Sequence, residues 1–404
     1  MKYDFETVLD RYDNGSVKWN LMKKKKPQVG RGVVPFSIAD MEFKNPPEII
    51  EALKEYLDTA VLGYQTAEPS WYEAVTGWTK RRYGWETRPE WFYTTPGVVN
   101  ALYHGILAFT EPEDGVIVMP PVYYPFYKAV ETNGRRTVRC PLKEGRKLSY
   151  AIDFDRLEAL ASDPKNTLLI LCNPHNPVGR VWTRQELLMV SQICLRHHVF
   201  VISDEIHCDL IMPGHTFTSF ASLSEENAAN TMTCIAPSKT FNLAGLEASC
   251  VILPDRERRR RLKAEMSRVS YEGRVNALGY KAMEAAYTRC DQWLSQAIQA
   301  IHSNHRLLTE FLKEHCPDVK AAPLEGTYLQ WLDLRALGWT PKEQESIMEE
   351  ADLFFDEGGM FGPEGEGFER MNLACPQTVM LDGLSRFSQV VNRRKRGGGD
   401  DHRG

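Results

Sequence analysis

Six short apolar runs, at 116–119, 137–140, 168–172, 199–203, 231–236 and 249–253, constrain this chain more than any other feature. They are rich in Val and Ile, and they lack the apolar–polar alternation of a strand with one wet face. That is the pattern of strands buried on both faces, in a mostly parallel sheet covered by helices. Helical segments at 98–110 and 184–197 lie between runs. Upstream, Pro46-Pro47 opens a helix carried by Ile49, Ile50, Leu53 and Leu57. Proline suits a first turn, where the amide lacks a partner anyway. A second helix is expected near 70–83, with Ser70 as its N-cap. The expected fold class is α/β.

The pattern changes near residue 285. A long helix covers 289–314, followed by shorter segments at 328–332, 346–351 and 370–374. With 404 residues, the chain is too long for one compact core. The expectation is a large mostly parallel-sheet domain over 46–285 and a smaller α+β domain over 286–392. Residues 1–45 read as an irregular arm that completes the small domain, with Lys23 to Lys26 as a solvated basic run. Residues 393–404, basic and then glycine-rich, read as a disordered tail.

Composition excludes several classes. The formal net charge is −5, without the basic excess of a nucleic-acid binder. No stretch of about 18 apolar residues predicts a membrane span. The polar start has no secretory apolar core. The nine cysteines form no CxxC pair, as expected in a reducing, cytoplasmic setting. His302 and His305 share a helix face with no third ligand nearby, so they read as surface histidines rather than a metal site. The Arg258–Arg261 run reads as a solvated helix face.

Three candidates for chemistry follow three of the apolar runs. Lys239 comes just after 231–236; a lysine there, facing a cleft, would lose proton affinity by desolvation and become nucleophilic. Asp204 ends the run 199–203. Ligands of open α/β sheets sit beyond the carboxyl ends of strands, where a carboxylate can pair with a ring nitrogen. Asn176 lies in the turn Asn173-Pro-His-Asn-Pro-Val-Gly179 after 168–172, and its amide is placed to meet a ring oxygen. Taken singly, these are a surface lysine, a helix cap and an ordinary turn.

Together they are more specific. NPHNPVGRVW, SDEIH and PSKTFN, in this order, resemble the fold-type I aminotransferase superfamily and, within it, the cystathionine β-lyase branch of MalY/PatB-type C–S lyases. KWN at 18–20, SIADMEF at 37–43, GYQ at 63–65, PGVVNAL at 96–102, PVYYPF at 121–126 and RMNLACP at 370–376 extend the likeness over nearly the whole chain. The resemblance implies the aspartate-aminotransferase-like fold and pyridoxal 5′-phosphate. It makes Lys239 the lysine that carries the cofactor and the general base, and Asp204 the partner of its ring nitrogen. Asn176 meets the ring's 3-oxygen, and Tyr123 stacks on the ring. The phosphate falls to the amides of Gly97, Val98 and Val99, where a helix start favours an anion. Ser238, Thr240 and His207 contribute to the same cofactor site, and Tyr64 reaches the phosphate from a neighbouring subunit of a homodimer. Arg370, Asn176 and Asp40 are left for an amino-acid substrate.

Two departures stand out. His207 replaces a tyrosine that many aminotransferases carry, which suits the C–S lyase branch. Many also carry a phosphate-gripping arginine in the stretch matching Leu243–Ala248, which here holds Glu247 and no arginine; the missing arginine also suits the branch, whereas Glu247 is unexpected. The implied reaction is α,β-elimination from cystathionine or another cysteine S-conjugate, giving a thiol, pyruvate and ammonia. Transamination on the same scaffold, and a regulatory protein acting through a partner, remain open alternatives.

Overall fold

The computed structural model describes residues 3–269 and 273–397. A seven-stranded sheet has the order β1-β9-β8-β7-β6-β2-β3. Its strands are β1 (Phe92–Thr95), β2 (Gly115–Val118), β3 (Arg136–Arg139), β6 (Asn166–Cys172), β7 (Phe200–Asp204), β8 (Thr231–Ile235) and β9 (Ser249–Ile252). A small hairpin, β4 (Lys143–Glu144) and β5 (Tyr150–Ala151), stands apart from it. Only β9 runs against the other six, being antiparallel to both β1 and β8. The carboxyl ends of β1, β2, β6, β7 and β8 therefore share one edge of the sheet.

All six apolar runs are strands, and β2, β7, β8 and β9 are buried throughout. Helices cover both faces. The Val98–Phe109 helix packs so closely that a Cβ on Gly105 would lie 2.6 Å from Met232 Cε and 2.8 Å from Ile202 Cδ1. The glycine lets the helix axis approach β7 and β8, and so fixes where its first turn points.

A second sheet of four antiparallel strands, in the order β10-β11-β13-β12, lies later in the chain: β10 (Lys320–Ala321), β11 (Leu329–Asp333), β12 (Asp356–Glu357) and β13 (Phe368–Asn372). The Asp291–His315 helix and the Gln377–Gly397 helix pack together beside it. The early chain joins this sheet through Phe36 N–H to Phe354 O and Asn372 N–H to Phe36 O, both 2.9 Å.

Several expectations are corrected. The first 45 residues are not wholly irregular: Val17–Lys25 is a helix that buries Lys18, Trp19 and Met22. Its basic end is engaged, with Lys26 bound to Asp352 at 2.6 Å and Lys25 to Glu345 at 3.1 Å. Residues 393–397 continue a helix instead of starting a disordered tail, and 398–404 lie outside the described residues. Ser70 is no N-cap: Glu68 occupies that position, Pro69 opens the helix, and the Ser70 hydroxyl bonds Glu284. The 258–261 run is only partly solvated, because Arg258 stacks on Phe200 at 4.1 Å and Arg259 donates to the Leu253 carbonyl. His305 is half-buried and bonds Gln330 at 2.7 Å. Among the described residues, no helix could cross a membrane and no three His, Cys, Asp or Glu side chains could hold a metal.

Candidate active site

Three neighbouring parallel strands deliver the three chemical groups to one place. Strand β6 ends at Cys172 and leads into the turn carrying Asn176; β7 ends at Asp204; β8 is followed by the single helical turn Pro237–Thr240 that carries Lys239. Registers Cys172↔Asp204 and Asp204↔Cys234 align these ends. The Asn173–Pro174 and Asn176–Pro177 bonds are both cis. Gly179, at φ 74°, closes the turn in a conformation that favours glycine.

A cavity of about 250 Å³ opens beyond these strand ends. Lys239, Asp204, Asn176, Tyr123, His207 and Ser238 all line it, as do Gly97, Val98 and Val99. Asp204 Oδ1 accepts from the Ile206 amide at 3.1 Å. Burial raises the Asp204 carboxyl to about 7, although that hydrogen bond and the nearby Lys239 pull the other way. Lys239 is half-buried. Burial lowers its amine to about 8, while Asp40 and Asp204 oppose the fall and Arg370 assists it. Its Nζ donates to the Ala39 carbonyl at 2.7 Å. Burial also pushes His207 far below the ordinary histidine range, so the ring is neutral. It meets Tyr328 edge-to-face at 5.9 Å.

The helix start is open. Gly97, at φ 115°, would place a Cβ with nothing within 4 Å, and no side chain caps the helix. The first amides of a helix lack intrahelical partners and favour an anion. Arg370, on β13, donates from Nη1 to Asn176 Oδ1 at 2.9 Å. That bond orients the Asn176 amide, leaving its NH₂ as the donor available to the cavity.

The remaining candidates lie elsewhere. Thr240 is fully buried and donates to Asp209 Oδ2 at 3.0 Å, so it does not line the cavity. Asp40 lies in an adjoining open groove of about 1070 Å³ and pairs with Arg11 at 2.8 Å. Tyr64 is 98% exposed on the segment after the Pro47–Thr59 helix. Glu247, in the left-handed region at φ 45°, lines both cavity and groove. Two contributors went unnoticed in the sequence: the Ala39 carbonyl, although SIADMEF drew attention to its segment, and Asp356, whose strand has only two residues and no motif.

A buried carboxylate, a half-buried amine of lowered proton affinity, an amide donor, an aromatic ring and an uncapped helix start suit a planar aromatic aldehyde bearing a ring nitrogen and a phosphate. The chain belongs to the aminotransferase class I and II family, whose model matches residues 31–386. Within that family it is 44% identical to cystathionine β-lyase PatB of Bacillus subtilis, over 96% of this chain and all of the relative. It is 28% identical to protein MalY of Escherichia coli, over 96% of this chain and 99% of the other. Cystalysin from Treponema denticola, solved with a pyridoxal 5′-phosphate cofactor, superimposes with a TM-score of 0.95 at 45% identity, covering 97% of this chain and all of that one.

Proposed function

We propose that this chain is a pyridoxal-phosphate-dependent carbon–sulfur β-lyase acting on cystathionine or a related cysteine S-conjugate. The observation that carries the reading is the convergence of Lys239 and Asp204 on one buried cavity beside an uncapped helix start. Cystathionine β-lyases among the relatives favour elimination over transamination.

Bound there, pyridoxal phosphate supplies an electron sink for the pair left when a substrate Cα–H bond breaks. Asp204 holds positive charge at the ring nitrogen; a cationic partner restores the ionised form that burial opposes. The amides of Val98 and Val99, with Gly97 and Ser238, line the cavity and would hold the phosphate. Tyr123 would stack on the ring and the Asn176 NH₂ would meet the ring oxygen, while the neutral His207, which lines the same cavity, would add no charge.

Arg370 and Asn176 take the substrate α-carboxylate. Asp40 acts on the site through its charge, by holding up the proton affinity of Lys239. With substrate bound, the Lys239 amine, whose proton affinity burial lowers to about 8, would remove the Cα proton as general base. The Cβ–S bond then breaks, sulfur leaves with its electron pair and gains a proton as thiol, and the three-carbon remainder hydrolyses to pyruvate and ammonia. The homodimer belongs to this reading. Tyr64 is exposed beside Val61 and Leu62, at 83% and 66%, on a surface suited to a second copy whose phosphate it would reach. A reducing cytoplasm accords with nine buried cysteines, none of them in a disulfide.

The test is to supply the loaded protein with cystathionine and no 2-oxo acid. Pyruvate and free thiol accumulating over many turnovers support elimination. Product only when a 2-oxo acid is added would replace it with transamination.

A further inference from the structure

Asp356 lies on β12 directly across from Arg370 on β13, and it is buried. One oxygen, Oδ2, accepts from three donors: Arg370 Nε at 3.2 Å, Arg370 Nη2 at 2.5 Å and the Ile38 amide at 2.9 Å. Nη1 of the same guanidinium goes to Asn176 at 2.9 Å. Three of the five guanidinium N–H groups are thus occupied, which fixes the plane and leaves two N–H groups for a further acceptor. Phe361 lies under that plane, 4.7 Å from the guanidinium carbon.

The Ile38 contact extends the arrangement towards Lys239. Ile38 has φ 57°, a left-handed conformation rarely adopted by a β-branched residue. Both its peptide groups are held, the amide by Asp356 and the carbonyl by Asn372 Nδ2 at 2.8 Å. The next carbonyl, Ala39, accepts from Lys239 Nζ.

Resting on the reading of Arg370 as the substrate carboxylate's partner, we propose that Asp356 is a positioning residue, setting the plane of Arg370 and the Ile38–Asp40 segment against Lys239 through one shared oxygen. Asp356 need not touch substrate. Its contribution is orientation, so a neutral oxygen in the same place should suffice.

The test uses the loaded enzyme with S-benzyl-cysteine and its methyl ester, comparing kcat/KM for acid over ester. Arg370→Ala calibrates the measurement. If it does not lower the ratio, the substrate reading falls, and this proposal with it. If it does, Asp356→Ala should lower the ratio about tenfold or more, while Asp356→Asn, which keeps an acceptor, stays within about threefold of the parent. Asp356→Leu, of similar volume and without an acceptor, should repeat the alanine result should Asp356→Ala fold poorly. In the cofactor-free protein, the Ile38 amide should exchange hydrogen faster in the variants lacking an acceptor. An unchanged ratio in those variants, equal losses for acid and ester, an asparagine as damaging as alanine, or unaltered Ile38 exchange would overturn the proposal.

Discussion

Lys239 and Asp204 share one buried cavity, and each favours the charged form of the other: Asp204 raises the proton affinity of Lys239, and Lys239 lowers that of Asp204. Desolvation outweighs this attraction at both groups. The acid at about 7 and the amine at about 8 both lie near neutrality, and a cation beside the acid would favour its ionised form. Asp204→Asn removes that response with little change in volume. We expect cofactor binding to survive and kcat to fall by about 100-fold or more, since a preorganised charge at the developing electron pair is a large contribution. Retained turnover with intact cofactor absorbance would contradict the role.

The helix missed in the sequence makes a second prediction. Lys18 is 1% exposed, and its Nζ bonds Glu42 Oε1 at 2.9 Å and the Asp40 carbonyl at 3.2 Å. Deleting Lys18 leaves Glu42 paired with Arg11 Nη1 at 3.1 Å, so the expected cost is about 1–3 kcal/mol, less than the about 3–5 kcal/mol of a fully stranded buried charge. Lys18→Ala should lower the urea midpoint accordingly. A loss below about 1 kcal/mol, the range of exposed pairs, would show that Glu42 is not held as described.

A third prediction concerns pH. Burial raises Glu369 from 4.5 to about 8, and Oε1 accepts from Gln344 at 2.7 Å while Oε2 has no partner. A carboxyl raised on folding favours the folded state while protonated. Its contribution is full below 4.5 and is lost as pH climbs through 8. Asp204 and Glu205, each raised to about 7, act in the same direction. Glu369→Gln mimics the neutral acid, so the variant should gain on the parent between pH 5 and pH 8, by at most about 1.4 kcal/mol per pH unit. Unfolding of the cofactor-free protein at the two pH values decides it, and parallel losses in both proteins would refute the assignment.

Shared active sites can be tested by mixing. If Tyr64 serves the neighbouring subunit, Tyr64→Ala and Lys239→Ala are each impaired alone. Their hybrid contains one site with both residues intact. Mixing after gentle dissociation should recover activity, up to about a quarter of the parent if subunits re-pair at random and sites act independently. No recovery, with hybrid formation verified by mass, would place Tyr64 in its own subunit's chemistry or outside the reaction.

The sequence made the larger sheet legible because β2, β6, β7, β8 and β9 are largely buried on both faces and leave apolar runs, while edge strand β3 is only partly covered. Strand β1 escaped: it has four residues, Phe-Tyr-Thr-Thr, and pairs only with β9. The Val17–Lys25 helix escaped because most of its residues are polar, and what it buries includes a lysine. Lys239, Asp204 and Asn176 were readable because each follows an apolar run. Thr240 does not line the cavity with Ser238 and Lys239, because a four-residue helical turn sends neighbouring side chains in different directions and its hydroxyl turns to Asp209. Asp356 could not be read, since its role depends on the register of two strands that opposes it to Arg370.

The most direct test of the central claim is borohydride reduction of the loaded protein, followed by digestion and mass analysis. The account predicts a pyridoxyl mass on the peptide containing Lys239, and no attachment in Lys239→Ala. A label on another lysine, or undiminished labelling of the variant, would contradict it.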